Sequence, residues 1–123
     1  MLHPSPLLLL PFLAGCAATG AVEGPVRLGQ TAHVGGPRVR ADRVVEDSRC
    51  PVDTQCVRAG RLIVRATVSD GSWSRQVDLM LGQPVPIADG ALTLIAAVPD
   101  RRRNRRAIGT ASYRFSFDFQ GGL

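Results

Sequence analysis

Tyr113, Phe115, Phe117 and Phe119 alternate with Arg114, Ser116, Asp118 and Gln120 near the end of the chain. Successive side chains of an extended strand project to opposite faces, so this two-residue period predicts a strand with one apolar and one polar face. Leu62, Val64, Ala66 and Val68 predict a second such strand, and Trp73, Val77, Leu79 and Leu81 a third. Leu92, Leu94, Ala96 and Val98 predict a fourth. Weaker patterns predict strands over 26–34 and 38–45 and a short one over 85–87. No segment holds a helical period over several turns.

The punctuation agrees. Asp70-Gly71 falls between the second and third stripes, and Asp89-Gly90 between the short strand and the Leu92 stripe. Asp-Gly suits tight hairpins, whose central residues need positive φ. Gly35-Gly36-Pro37 separates the two weak N-terminal strands. About seven short strands at this spacing predict an all-β domain: a small antiparallel β-sandwich, Ig-like or similar, with a small β-barrel as the alternative. A membrane-spanning barrel is excluded by length, because eight tilted strands of about 9–11 residues plus turns would use nearly the whole chain.

The start of the chain follows a different pattern. Leu7-Leu8-Leu9-Leu10-Pro11-Phe12-Leu13 is a continuous apolar run, far short of the roughly 20 residues a transmembrane helix requires. It leads into Leu13-Ala14-Gly15-Cys16, where small residues precede a cysteine. Residues 1–15 therefore read as a signal peptide, although positions 1–6 carry no Lys or Arg. The segment resembles the lipobox of bacterial lipoproteins. That resemblance implies cleavage before Cys16 and acylation of its thiol and amino group. Two or more acyl chains anchor a protein stably, where one does so only marginally. The resemblance also implies a cell-envelope location, and Ala17 points to the outer membrane, facing the periplasm, in a Gram-negative host. Residues 16–25 are small, polar and turn-rich and read as a lipidated tether. The nine residues after the cysteine would span on the order of 15–18 Å as a flexible coil. Residues 26–120 form the predicted β domain, one domain's worth of chain.

With Cys16 assigned to lipid, Cys50 and Cys56 remain as an even pair in an oxidising compartment. Their C-x5-C spacing is not the C-x2-C of redox or zinc sites. A structural disulfide closing so short a loop is worth roughly 2–2.5 kcal/mol in the chain-entropy description. Two free thiols are the alternative.

The formal net charge is +5, and every basic residue is Arg. Arg101, Arg102, Arg103, Arg105 and Arg106 supply this excess from one short stretch. Asp100 to Arg106 is expected to form an exposed loop between two strands. It is either solvated surface or a site that attracts anionic lipid or another envelope polyanion. A basic residue near an anionic surface contributes on the order of 1 kcal/mol. Nucleic acid is an unpromising partner, because no aromatics interleave the basic run and the expected compartment holds little of it.

Catalytic chemistry finds little support. His33 is the one histidine after the leader, and it sits in an alternating segment as a satisfied or solvent-facing residue. No G-x-S-x-G elbow, P-loop, G-x-G-x-x-G or EF-hand loop occurs, and no cofactor is implied. Asp42 and Glu46 could share a strand face, but surface solvation explains them adequately. Trp73 shares a face with Val77 and Leu79 and is expected in the core.

Asp47-Ser48-Arg49-Cys50-Pro51, with Cys56 and Ala59-Gly60 following, is the most distinctive motif of the domain. It resembles a pattern in small bacterial envelope proteins, which often have Trp where this chain has Arg58. That resemblance implies a recurrent structural unit and no particular activity. Pro51 fixes φ, and Gly60 lets the chain turn into the Leu62 strand. The expected function is therefore a lipid-anchored envelope protein, not an enzyme, with a structural or binding role toward an unknown protein partner, peptidoglycan or anionic lipid. The alternative is a small envelope protease inhibitor or hydrolase using the stapled loop. Residues 51–55 offer no basic residue for a trypsin-like pocket.

Overall fold

A computed structural model describes residues 2–4, 6, 22–105 and 107–122 of the chain. The apolar run of the leader, the lipidation box with Cys16, residues 17–21 of the tether and Arg106 lie outside these residues.

Seven strands form in the order β1 (Thr31–His33), β2 (Arg38–Asp47), β3 (Leu62–Asp70), β4 (Trp73–Met80), β5 (Val85–Ile87), β6 (Gly90–Val98) and β7 (Arg114–Gln120). Strands β1-β2-β3-β4 make one antiparallel sheet and β5-β6-β7 a second. The expected sandwich is present, and the sheets do not close into a barrel. Each sheet is a simple meander, so consecutive strands stay together and a short connection suffices between them. One core lies between the sheets. The first sheet contributes Val39, Ala41, Leu62, Val64, Ala66, Val68, Val77 and Leu79. The second contributes Ile87, Leu92, Leu94, Ala97 and Phe115. Completely burying a side chain such as Leu62 or Phe115 contributes roughly 1.5–3 kcal/mol. Trp73 packs partly buried against this core, as its stripe predicted.

Four sequence expectations shift. The weak strand over 26–34 is broken by a turn in which Gln30 N–H bonds the Arg27 carbonyl at 3.0 Å. Val26 on one side of the turn bridges Phe115 of the second sheet, and 31–33 join the first. The domain also begins earlier than residue 26, because Val22 pairs in parallel with Ala32.

In β6 a bulge between Leu94 and Ala96 changes the phase of the stripe. Ala97 is turned inward at 8% exposure, while Ile95 and Val98 are 55% and 50% exposed. The bulge serves the packing of the two sheets, since the Leu94 carbonyl accepts the Gly82 N–H at 2.8 Å from the end of the other sheet.

The β5–β6 turn consists of Ala88 and Asp89, because Ile87 pairs with Gly90. Ala88, and not a glycine, takes the positive φ of 51°. Gly90 is needed inside the strand instead. A Cβ there would run into the Gln120 carbonyl and the Phe119 ring.

Candidate functional site

Two loops at one end of the sandwich, predicted separately, meet. The first follows β2 and carries the motif 47–51 and both domain cysteines. Its neck is closed by backbone bonds from Ser48 N–H to the Arg61 carbonyl and from Cys50 N–H to the Ala59 carbonyl, both 2.8 Å. Cys50 and Cys56 are disulfide-bonded with Cα atoms 6.0 Å apart. Thr54 N–H bonds the Pro51 carbonyl at 3.0 Å, making a turn inside the ring. Gly60 has φ +70°, and a Cβ there would collide with the Ser48 carbonyl across the neck. The glycine is required on both counts.

Asp47 and Arg49 explain the polar half of the motif. Arg49 grips Asp47 in a bidentate pair, Nε to Oδ1 and Nη2 to Oδ2, both at 2.9 Å. The side chains are only 14% and 10% exposed, respectively. Arg49 Nη2 also donates to the Pro99 carbonyl at 3.2 Å, just beyond β6. Tyr113, just before β7, donates its hydroxyl to Asp47 Oδ2 at 2.7 Å. The cluster thus ties the end of β2 to two segments that flank strands of the other sheet.

Its electrostatics follow from this geometry. Burial pushes the Asp47 carboxyl up, but the hydrogen bonds from Arg49 and Tyr113 outweigh it and hold the group below its usual range. Burial, then the bond to Asp47, raise the Tyr113 phenol to about 12. Arg49 is held even more firmly protonated by Asp47.

The second loop carries the arginines. Its backbone is clamped to the first: Val52 N–H bonds the Arg101 carbonyl at 2.9 Å, and Asp53 Oδ1 accepts the Arg103 N–H at 2.8 Å. Arg101 turns its guanidinium back onto the Arg49 carbonyl at 2.7 Å. Arg105 N–H closes a turn on the Arg102 carbonyl at 3.0 Å. The cationic set therefore divides. Arg101 is half-buried and structural, whereas Arg102, Arg103 and Arg105 are exposed. Among the described residues, the guanidiniums of Arg40, Arg49, Arg61 and Arg65 have carboxylate partners, and those of Arg101, Arg102, Arg103 and Arg105 have none. Beneath the loop lies a recess of about 60 Å³ whose lining includes Asp100, Arg101, Arg102, Arg105, Gly109 and Ser112.

The remaining candidates lie elsewhere. His33 is exposed at the end of β1. Asp42 is engaged by Arg40 at 2.7 Å and by the Thr67 hydroxyl at 2.6 Å. Glu46 is bonded by Arg61 and by the Ser48 hydroxyl at 3.0 Å. The two carboxylates thus serve separate ion pairs, and the β2 register shifts between Ala41 and Arg43 and again between Val44 and Glu46. Sequence reasoning missed Tyr113 as a polar anchor, since its place in the aromatic stripe marked it only as core. It also missed the contact between the loops, which no local pattern announces.

No protein-family model, no curated protein and no solved structure matches this chain.

Proposed function

We propose that this chain is a lipid-anchored protein of the bacterial cell envelope with a non-catalytic binding role, whose arginine loop engages an anionic surface. The observation that carries the reading is the clamp. Arg102, Arg103 and Arg105 are exposed, with guanidiniums that lack carboxylate partners among the described residues, on a loop held at Arg101 and Arg103 by the stapled loop. Ordering such a loop in advance lowers the entropy lost on binding. Three basic residues near an anionic surface contribute about 3 kcal/mol at low salt. Cys16 would supply the acyl anchor, and a tether shortened by the Val22 pairing keeps the domain close to the bilayer. Ala17 is consistent with an outer-membrane anchor facing the periplasm if the host is Gram-negative. The stapled loop suits this supporting role better than protease inhibition, because its Val52 N–H and Asp53 carboxylate are already engaged by the arginine loop.

Co-sedimentation of the unlipidated Cys16→Ser protein with phosphatidylglycerol vesicles tests the reading. Binding should weaken with salt and fall at least about tenfold when Arg102, Arg103 and Arg105 all become Ser. Equal binding by that variant would leave the loop as solvated surface.

A further inference from the structure

We infer that the recess beneath the arginine loop is a seat for one phosphate monoester group. The inference rests on the proposed anionic-surface reading and narrows it from a diffuse charged face to a discrete site.

Three arginines line the recess: Arg101, whose guanidinium is engaged on the Arg49 carbonyl, and Arg102 and Arg105, exposed at the two ends of a single turn. The clamp from Val52 and Asp53 holds the loop backbone at Arg101 and Arg103, so Arg102 and Arg105 are presented to an anion from an ordered turn. Ser112 adds a hydroxyl that can donate to the same space. Asp100 also lines the recess, and against the three arginines it leaves the set net positive.

Size selects the ligand. A volume of about 60 Å³ is several times the roughly 10–15 Å³ that one water requires, enough for a single tetrahedral oxyanion. A terminal phosphate offers three oxygens to a recess of this size. A diester phosphate is flanked by carbon on two sides and offers only two, so it should bind at the rim and gain little from Ser112. Guanidinium forks match the paired oxygens of phosphate, and such charge-assisted bonds are about twice as strong as neutral ones. The phosphate could come from a lipid headgroup or from solution, and the experiment separates the two.

The unlipidated Cys16→Ser protein is titrated with inorganic phosphate at fixed ionic strength, followed by heteronuclear NMR. In parallel it is sedimented with vesicles of phosphatidic acid or phosphatidylglycerol at matched surface charge. The inference expects saturable one-to-one phosphate binding with shifts at Arg102, Arg105 and Ser112. It also expects tighter sedimentation with phosphatidic acid, the monoester. Arg105→Ser should weaken phosphate binding at least about tenfold and Ser112→Ala severalfold, while Arg75→Ser on β4 removes an equal charge without effect. Unchanged thermal midpoints show that these exposed substitutions leave the fold intact. Equal sedimentation with both lipids and no saturable phosphate binding overturns the seat while the surface reading stands. Saturable phosphate binding without vesicle binding supports the seat as a site for soluble phosphate and overturns the surface reading. Absence of both overturns both.

Discussion

Asp47 ends β2 in one sheet and Tyr113 immediately precedes β7 of the other, and the Tyr113 hydroxyl donates to Asp47 Oδ2 at 2.7 Å. Asp47 also receives both arms of Arg49, so one carboxylate gathers three side-chain donors at the end of the sandwich that carries the stapled loop. A hydrogen bond to a charged acceptor is worth about 1.5–3 kcal/mol. Tyr113→Phe keeps the ring stacked on Phe115 and removes only this bond. Chemical denaturation should show a loss in that range. Arg49→Ala should cost more, about 3 kcal/mol or above, because it leaves a largely buried carboxylate unpaired. A Tyr113→Phe protein as stable as wild type would show that the bond contributes nothing net.

The same cluster sets the pH dependence. The folded Asp47 carboxyl ionises below its unfolded value of 3.8, so its stabilisation is complete above that pH and is lost as pH falls through the lower folded value. Tyr113 behaves in the opposite sense. Its folded value of about 12 lies above the unfolded 10.0, so stability holds below pH 10 and declines as pH rises toward 12. Tyr113 is the only tyrosine of the chain, so phenolate absorbance reports it without ambiguity. Tyr113→Phe should lose the part of the alkaline decline that wild type shows. An ionisation midpoint near 10 in the native protein would contradict the assignment.

The disulfide should matter for binding as well as for stability. Opening the Cys50–Cys56 ring by a double Cys→Ser change should cost about 2 kcal/mol while leaving the β core folded. Because Val52 and Asp53 hold the arginine loop, the same change should weaken vesicle binding severalfold although no arginine is touched. Undiminished binding in the double variant, with the core intact by circular dichroism, would uncouple the two loops.

Gly60→Ala imposes a left-handed conformation on alanine and drives its Cβ into the Ser48 carbonyl. The conformational part alone costs about 1–2 kcal/mol, and the collision with backbone adds to it. A loss of at least about 2 kcal/mol is expected. A thermal midpoint within error of wild type would show that the neck opens freely.

Cys16→Ser should abolish acylation and release the protein from the membrane fraction. Mass spectrometry of the mature amino terminus should show an acylated cysteine in wild type and none in the variant. Retention of residues 1–15 in the purified wild-type protein would refute the assignment.

The sequence by itself determined the class of fold and most of its strands. A two-residue apolar period leaves few alternatives to a half-buried strand, and the stripes at Leu62, Trp73 and Tyr113 each lead to a strand that packs as expected. It also marked Cys50 and Cys56 as partners, since an even, closely spaced pair constrains itself. Where a strand pattern needs a neighbour to interpret it, local reading ran out. The turn slid from Asp89-Gly90 to Ala88-Asp89 because the Gln120 carbonyl leaves no room for a Cβ at residue 90. The phase of β6 changed after Leu94 because a bulge meets the opposite sheet there. Only the tertiary structure decided that the stapled loop and the arginine loop form one platform. Val52 and Arg101 are far apart along the chain, and backbone groups pair according to where the strands deliver them, which side-chain pattern does not encode. The same holds for Tyr113, whose ring follows the apolar period while its hydroxyl answers to a carboxylate on the other sheet.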